Sequence, residues 1–185
     1  MNVSSDRDLI QRFQKGNESA FNELVLRYQE KIYWLARRFC NDHDSADEIV
    51  QEVFCKVYES LKDFRGESGF YTWLYRITVN ASLNTLRRER LNDFFRIDEF
   101  FEQPDRESEP ADRALERKED RALIEKAIEL LPEKQKAVFI LRYHDELPYE
   151  EIAAILKTSV GGLKANYFHA VKKIGEYVRR AHESR

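Results

Sequence analysis

Apolar residues at Phe21, Leu24, Val25, Tyr28, Ile32, Leu35, Ala36 and Phe39 step by three and four, which predicts an amphipathic helix. A second stripe runs through Ala46, Ile49, Val50, Val53, Phe54, Val57 and Leu61. It opens with "SADE", where Ser45 is placed to cap and Glu48 to reach back in a capping box. A third helix carries "GFYTWLYRITVNASLNTLRRERL", and nothing in this half alternates with a strand's period of two. The helical pattern resumes after Asp112. Pro132 suits the first turn of a helix over Lys134 to Tyr143. Pro148 starts a short helix with Ile152, Ala153 and Leu156 inward. "KTSVGG" is then a tight turn with Ser159 as N-cap. The last helix buries Leu163, Tyr167, Ala170 and Ile174. Short helix, tight turn and longer helix make the layout of a helix-turn-helix.

Between the halves the composition shifts. "NDFFRIDEFFEQPDRESEPAD" sets eight carboxylates against Arg96 and Arg106, contains Pro104 and Pro110, and has no helical period. It predicts an extended, flexible acidic linker. Phe94, Phe95, Phe100 and Phe101 are unusual in a spacer: either the segment merely solvates itself, or its rings dock on a module or a partner. The expected organisation is all-α, with a helical domain over residues 1–91, a linker over 92–111 and a second helical domain over 112–185. A length of 185 residues fits two small domains, and six Gly with four Pro are too few turn residues for an all-β fold.

Net charge is −3, so nucleic-acid binding must come from local patches of Lys and Arg. Two cysteines make no disulfide framework and suit a reducing compartment. Cys40 and His43 are too few for a tetrahedral metal site, so no metal or other cofactor is expected. "MNVSSDRDLIQRF" lacks an apolar signal core and no stretch approaches the ~18 apolar residues of a membrane span, so a cytoplasmic location is expected. There is no acid/base pair, nucleophile arrangement or phosphate-cradling Gly-Lys-Ser/Thr loop; the expectation is a protein that is not an enzyme and takes no small-molecule substrate.

Three helical faces carry candidate chemistry. In the last helix Lys164, Ala165, Phe168, His169 and Lys172 lie opposite the buried stripe, a basic face suited to the major groove. The competing reading is a plain helical hairpin with a solvated charged face. The second stripe's outer face is acidic, with Asp47, Glu48, Gln51, Glu52 and Glu59; it either meets solvent or meets a basic partner helix. In the third helix Tyr71, Trp73, Leu74, Tyr75 and Ile77 cannot all enter one small core. Asn80 and Asn84 are one turn apart and can bond base edges, and Arg87, Arg88 and Arg90 can follow a phosphate backbone. Rings, amides and arginines together suit a single strand, whose unstacked bases stack at ~1–3 kcal/mol each. Trp73 as core and the arginines as a solvated helix end remains the plainer alternative.

One module suited to opened DNA and another suited to duplex resemble an extracytoplasmic-function (ECF) sigma factor of the bacterial RNA polymerase sigma-70 family, in its envelope-stress subgroup. The resemblance spans nearly the whole chain. "AFNELVLRYQEKIYWLARRF", "SADEIVQEVFCKVYESLKDFRGES" and "FYTWLYRITVNASLNTLRR" resemble region two, and "LPEKQKAVFILRYHDELPYEEIAAILKTSVGGLKANYFHAVKKI" resembles region four. It implies a factor that binds core polymerase, directs it to promoters and promotes melting for transcription initiation. By the same resemblance Asp47, Glu48, Gln51 and Glu52 would grip the β′ clamp helices. A flipped −10 base would enter a pocket of Phe64, the loop from Arg65 to Phe70, Ile77 and Asn80, with Tyr71, Asn84, Arg87 and Arg88 also on the −10 DNA. Region four, with Arg142, Ser159, Lys164, Ala165, Phe168, His169 and Lys172, would read the −35 element and rest on the β flap. The linker would follow the polymerase's RNA path. Family members commonly carry Ser or Arg where Ala165 and His169 stand, and Thr at Gly162. An anti-sigma factor, often membrane-bound, would sequester the protein at the inner membrane. The competing reading is a stand-alone helix-turn-helix regulator of duplex DNA, which leaves the acidic helix and the Phe70–Trp73 aromatics unexplained.

Overall fold

The computed structural model describes residues 4–40, 42–95 and 113–183, with side chains described over 4–40, 42–91 and 119–183. Two compact units divide the chain, one built on Met1–Leu91 with Ala153–Lys157 and the other on Asn92–Ile152 and Thr158–Arg185. The described secondary structure is helical throughout.

The first unit contains α1 (Asp6–Gln14), α2 (Glu18–Phe39), α3 (His43–Leu61) and α4 (Phe70–Phe95). No element before Phe21 is predicted from the sequence, yet α1 is well formed. Ser5 Oγ accepts from the Asp8 amide at 3.2 Å, and the Asp8 carboxylate accepts from the Ser5 amide at 3.2 Å. These bonds, led by the one from the Ser5 hydroxyl, hold the Asp8 carboxyl below its ordinary range. Only three residues, Leu9, Ile10 and Phe13, are buried on α1, too short a stripe to stand out by period. Arg27 of α2 pairs with Asp6 at 2.6 Å and Tyr28 donates its hydroxyl to the same carboxylate, which ties α1 down. Burial, then that bond, pushes the Tyr28 hydroxyl's pKa up.

Helix α2 packs on α1 and α3 and buries Leu24, Tyr28, Ile32, Leu35, Ala36 and Phe39, while Phe21 and Val25 stay half-buried. Each fully buried Leu or Ile contributes about 1.5–3 kcal/mol. Helix α3 begins earlier than predicted. Asp42, not Ser45, is the N-cap, accepting from the Ser45 amide at 2.7 Å. Ser45 already sits inside the first turn, and its hydroxyl donates to Glu89 of α4 at 3.2 Å. The Cys40 thiol turns into the core and donates to the Ala36 carbonyl at 3.2 Å, and burial pushes its pKa up to about 11. His43 bonds the Tyr33 hydroxyl instead. Helix α4 runs past Leu91 to Phe95, so residues 92–95, which the sequence reading gives to the linker, are helical. "LRRERLNDFF" contains no Pro or Gly to stop it. The remainder of the predicted acidic linker, 96–111, with Phe100 and Phe101, lies outside the described residues.

In the second unit α5 (Arg113–Glu129), α6 (Glu133–Phe139) and α8 (Val160–Glu183) enclose a core of Ala127, Leu131, Phe139, Ala170 and Ile174. Pro132 precedes α6 as its N-cap rather than joining its first turn; its carbonyl accepts from Gln135 and Lys136 at 2.8 and 2.9 Å. The predicted helix to Tyr143 also changes character, since Ile140–His144 forms a π-helical turn. Six consecutive residues, Lys136 to Leu141, are buried, more than one face of a straight α-helix presents inward. Helix α7 (Tyr149–Leu156) buries Ile152 as expected and Ile155 in place of Ala153 and Leu156. No described helix is long and apolar enough to cross a membrane.

Candidate nucleic-acid and partner interfaces

Helix geometry sorts α4 into two sides. At about 100° per residue, Trp73, Ile77, Asn80, Asn84 and Arg87 fall on one stripe. The other side is Leu74, Thr78, Val79, Ala81, Ser82 and Thr85, all buried. Among these buried residues Thr78 returns its hydroxyl to the Leu74 carbonyl at 3.0 Å. The outward stripe is graded. Trp73 and Ile77 are half-buried, whereas Asn80, Asn84 and Arg87 are exposed. Arg87 donates to Asn84 Oδ1 at 3.0 Å.

The loop before α4 continues this surface. The Phe64 ring centroid lies 4.8 Å from that of Trp73 and 6.2 Å from that of Phe70. Gly66 has φ +72, a conformation costly for a side chain with Cβ. Arg65 is exposed beside it. A cleft of about 600 Å³ runs along the loop, lined by Ile10, Gln14, Phe64, Arg65, Gly69 and Phe70 among others. Helix α1 thus forms one wall, which the sequence reading misses because it assigns no element there. Together the surface offers rings for stacking, amides for hydrogen bonds and guanidinium groups.

Two of the predicted residues are placed differently from the outward stripe. Phe70 is 6% exposed, its ring edge-on to Tyr28 at 5.4 Å, so it supports Phe64 and Trp73 from beneath. Tyr71 projects roughly opposite Asn80 and lies against Tyr75, ring centroids 4.2 Å apart. Arg88 is at the edge, donating to Thr85 at 3.0 Å and standing 3.9 Å from Glu52.

On α3, Asp47, Glu48, Gln51 and Glu59 are exposed, opposite Ile49, Val53 and Phe54. Glu52 differs from them. It is half-buried, paired with Lys56 and close to Arg88, so its charge is already compensated within the unit.

In the second unit Ser159 Oγ caps α8, accepting from the Gly162 amide at 3.2 Å. A Cβ on Gly162 would come within 3.3 Å of that oxygen, so the tight cap favours glycine. Lys164, Ala165, Phe168, His169 and Lys172 are all exposed on α8, with Phe168 at 64%. The Phe168 and His169 rings stand 5.6 Å apart. Lys164 Nζ lies 5.7 Å from the Tyr149 ring centroid, and Lys172 is 3.8 Å from Glu176. Arg142 is half-buried, donates to the Leu147 carbonyl at 3.0 Å and lies 5.1 Å from the centroid of the same Tyr149 ring that Lys164 approaches. It braces the bend after the π-helical turn.

Comparison with known proteins matches these units one by one. The family model for sigma-70 region 2 matches residues 24–91, and that for sigma-70 region 4 matches residues 121–174. The chain is 40% identical over 176 residues to an RNA polymerase sigma-H factor of Pseudomonas aeruginosa, covering 91% of each. It is 41% identical over 182 residues to an ECF RNA polymerase sigma-E factor of Escherichia coli, covering 95% of each. Among solved structures, a sigma factor in complex with an anti-sigma factor from Bartonella quintana has the same fold, with a TM-score of 0.62 and 21% identity over 86% of this chain and 96% of that one.

Proposed function

The chain belongs to the sigma-70 family as an ECF sigma factor that binds core RNA polymerase and directs it to promoters, and on that premise we propose which surfaces do so. The outward stripe of α4, with the Phe64 loop, holds an unstacked base of the −10 element. Phe64 and Trp73 supply rings, Ile77 an apolar wall, Asn80 and Asn84 amide bonds, and Arg65, Arg87 and Arg88 meet phosphates. The observation that carries this reading is the alignment of Trp73, Ile77, Asn80, Asn84 and Arg87 on one face, with Phe64 closing one end. Phe70 and Tyr71 act from below and behind that face.

The exposed face of α3, with the acids Asp47 and Glu48 and the amide of Gln51 foremost, binds the basic clamp helices of the polymerase. Helix α8 enters the major groove at the −35 element with Lys164, Ala165, Phe168, His169 and Lys172, while Ser159 and Arg142 shape the motif that presents it. The protein acts by binding, without bond-making chemistry, in the cytoplasm, and an anti-sigma factor covers its polymerase-binding faces when it is held inactive.

Asn80→Ala tests the central assignment. A flipped base must replace lost stacking with pocket contacts, a cost of a few kcal/mol when it leaves a pair. The variant should therefore bind core polymerase normally yet open a closed promoter poorly, with partial rescue on a pre-melted −10 bubble. Permanganate footprinting on both templates reads this directly; equal opening of the closed promoter by Asn80→Ala and the parent refutes the assignment.

A further inference from the structure

Gln14, at the end of α1, reaches across to the start of the Phe64 loop. Its Nε2 shares two N–H bonds among three backbone carbonyls, Leu61 at 3.1 Å, Lys62 at 3.3 Å and Phe64 at 3.1 Å. Leu61 is the last residue of α3, where carbonyls lack partners from within the helix. The Phe64 amide also donates to the Leu61 carbonyl, at 3.3 Å, so Gln14 reinforces a backbone turn that joins the end of α3 to the start of the loop. The third carbonyl belongs to the residue whose ring lies against Trp73. Gln14 also lines the cleft beside Phe64 and Arg65. A shift of the Phe64 backbone would move the ring and the Gly66 bend together.

We propose that Gln14 is a positioning residue for base selection: through the Leu61, Lys62 and Phe64 carbonyls it holds the Phe64–Phe70 loop in the shape that accepts one unstacked base. A side chain far from the base can do this because recognition sites lose selectivity when supporting groups leave them loose by a fraction of an ångström. The inference rests on the reading of this loop as the −10 pocket.

The test reconstitutes holoenzyme from the full chain and core polymerase and presents a promoter bubble whose −10 single strand is randomised. Bound strands are recovered and sequenced. The parent should enrich one base at the pocket position. Gln14→Met fills a similar volume without donors, and the enrichment ratio should fall about tenfold. Gln14→Lys brings an ammonium with three donors to the three carbonyls and should restore much of the ratio. Gln14→Glu turns a carboxylate toward them and should be no better than Gln14→Met. The ratio is insensitive to how much protein folds, because a smaller active fraction scales all four bases equally. A merely structural Gln14 would lower thermal stability and leave the ratio unchanged. If Gln14→Met does not fold, the opposite responses of the Lys and Glu variants decide. Phe64→Leu separates the two ideas. A changed ratio for Phe64→Leu with a parental ratio for Gln14→Met overturns the role of Gln14 alone. No enrichment by the parent, or none lost in Phe64→Leu, overturns the pocket and the Gln14 inference with it.

Discussion

Helices α4 and α8 both present a face to nucleic acid in the proposed function, but they are built differently. On α8 the division is clean: Leu163, Ala170 and Ile174 are buried, and Lys164, Ala165, Phe168, His169 and Lys172 are exposed. On α4 the face is graded, from half-buried Trp73 and Ile77 to exposed Asn80 and Arg87, and it rests on buried Phe70. The contrast follows from what each must meet. A duplex groove receives a convex helix, so its contacts can stand clear of the core. An unstacked base needs a concave apolar surface, and a small unit makes one only by letting its core reach the outside.

The sharpest way to break that contrast is a matched pair of aromatic truncations. Phe70→Ala should destabilise the first unit by about 3–5 kcal/mol, the usual loss for a buried Phe. Phe168→Ala should leave stability within about 0.5 kcal/mol, as for most exposed positions. Denaturant titration of both variants checks this; similar losses would mean that α8 is as entangled with its core as α4.

A smaller effect is expected where no core residue is involved. Asp47→Lys with Gln51→Lys adds positive charge to the free part of the α3 face and should weaken core-polymerase binding by about tenfold or more, with helicity intact. Glu52 is left untouched because its contacts with Lys56 and Arg88 would mix folding with binding. Competition for core enzyme against the parent protein measures the loss.

On α8 the effect should be smaller again and depend on conditions. Lys164→Ala should weaken duplex binding by an amount that shrinks as salt rises, lowering the slope of log affinity against log salt by about one if one phosphate contact is lost. His169→Arg should change preference more than affinity, since Arg pairs readily with guanine in the major groove. Selection from a −35 library that returns one motif for both the parent and His169→Arg would remove His169 from base contact.

The sequence by itself determined the helices with long stripes, α2, α3 and α8, and the cap at Ser159, because period and capping depend on residues a turn or less apart. It also separated the acidic face of α3 from the basic face of α8. Tertiary structure decided what depends on distant neighbours. Asp42 caps α3 in place of Ser45, whose hydroxyl meets Glu89, a partner 44 residues away. The π-helical turn at Ile140–His144 accompanies a buried run that sequence spacing reads as ordinary helix. The rotation of α4, set by where Leu74, Thr78 and Ala81 pack, decided that the Phe70 ring lies beneath the cleft and that Tyr71 lies against Tyr75, away from Asn80. Gln14 became visible only once α1 lay against the end of α3: an amide reaching three carbonyls some 50 residues on leaves no trace in local spacing.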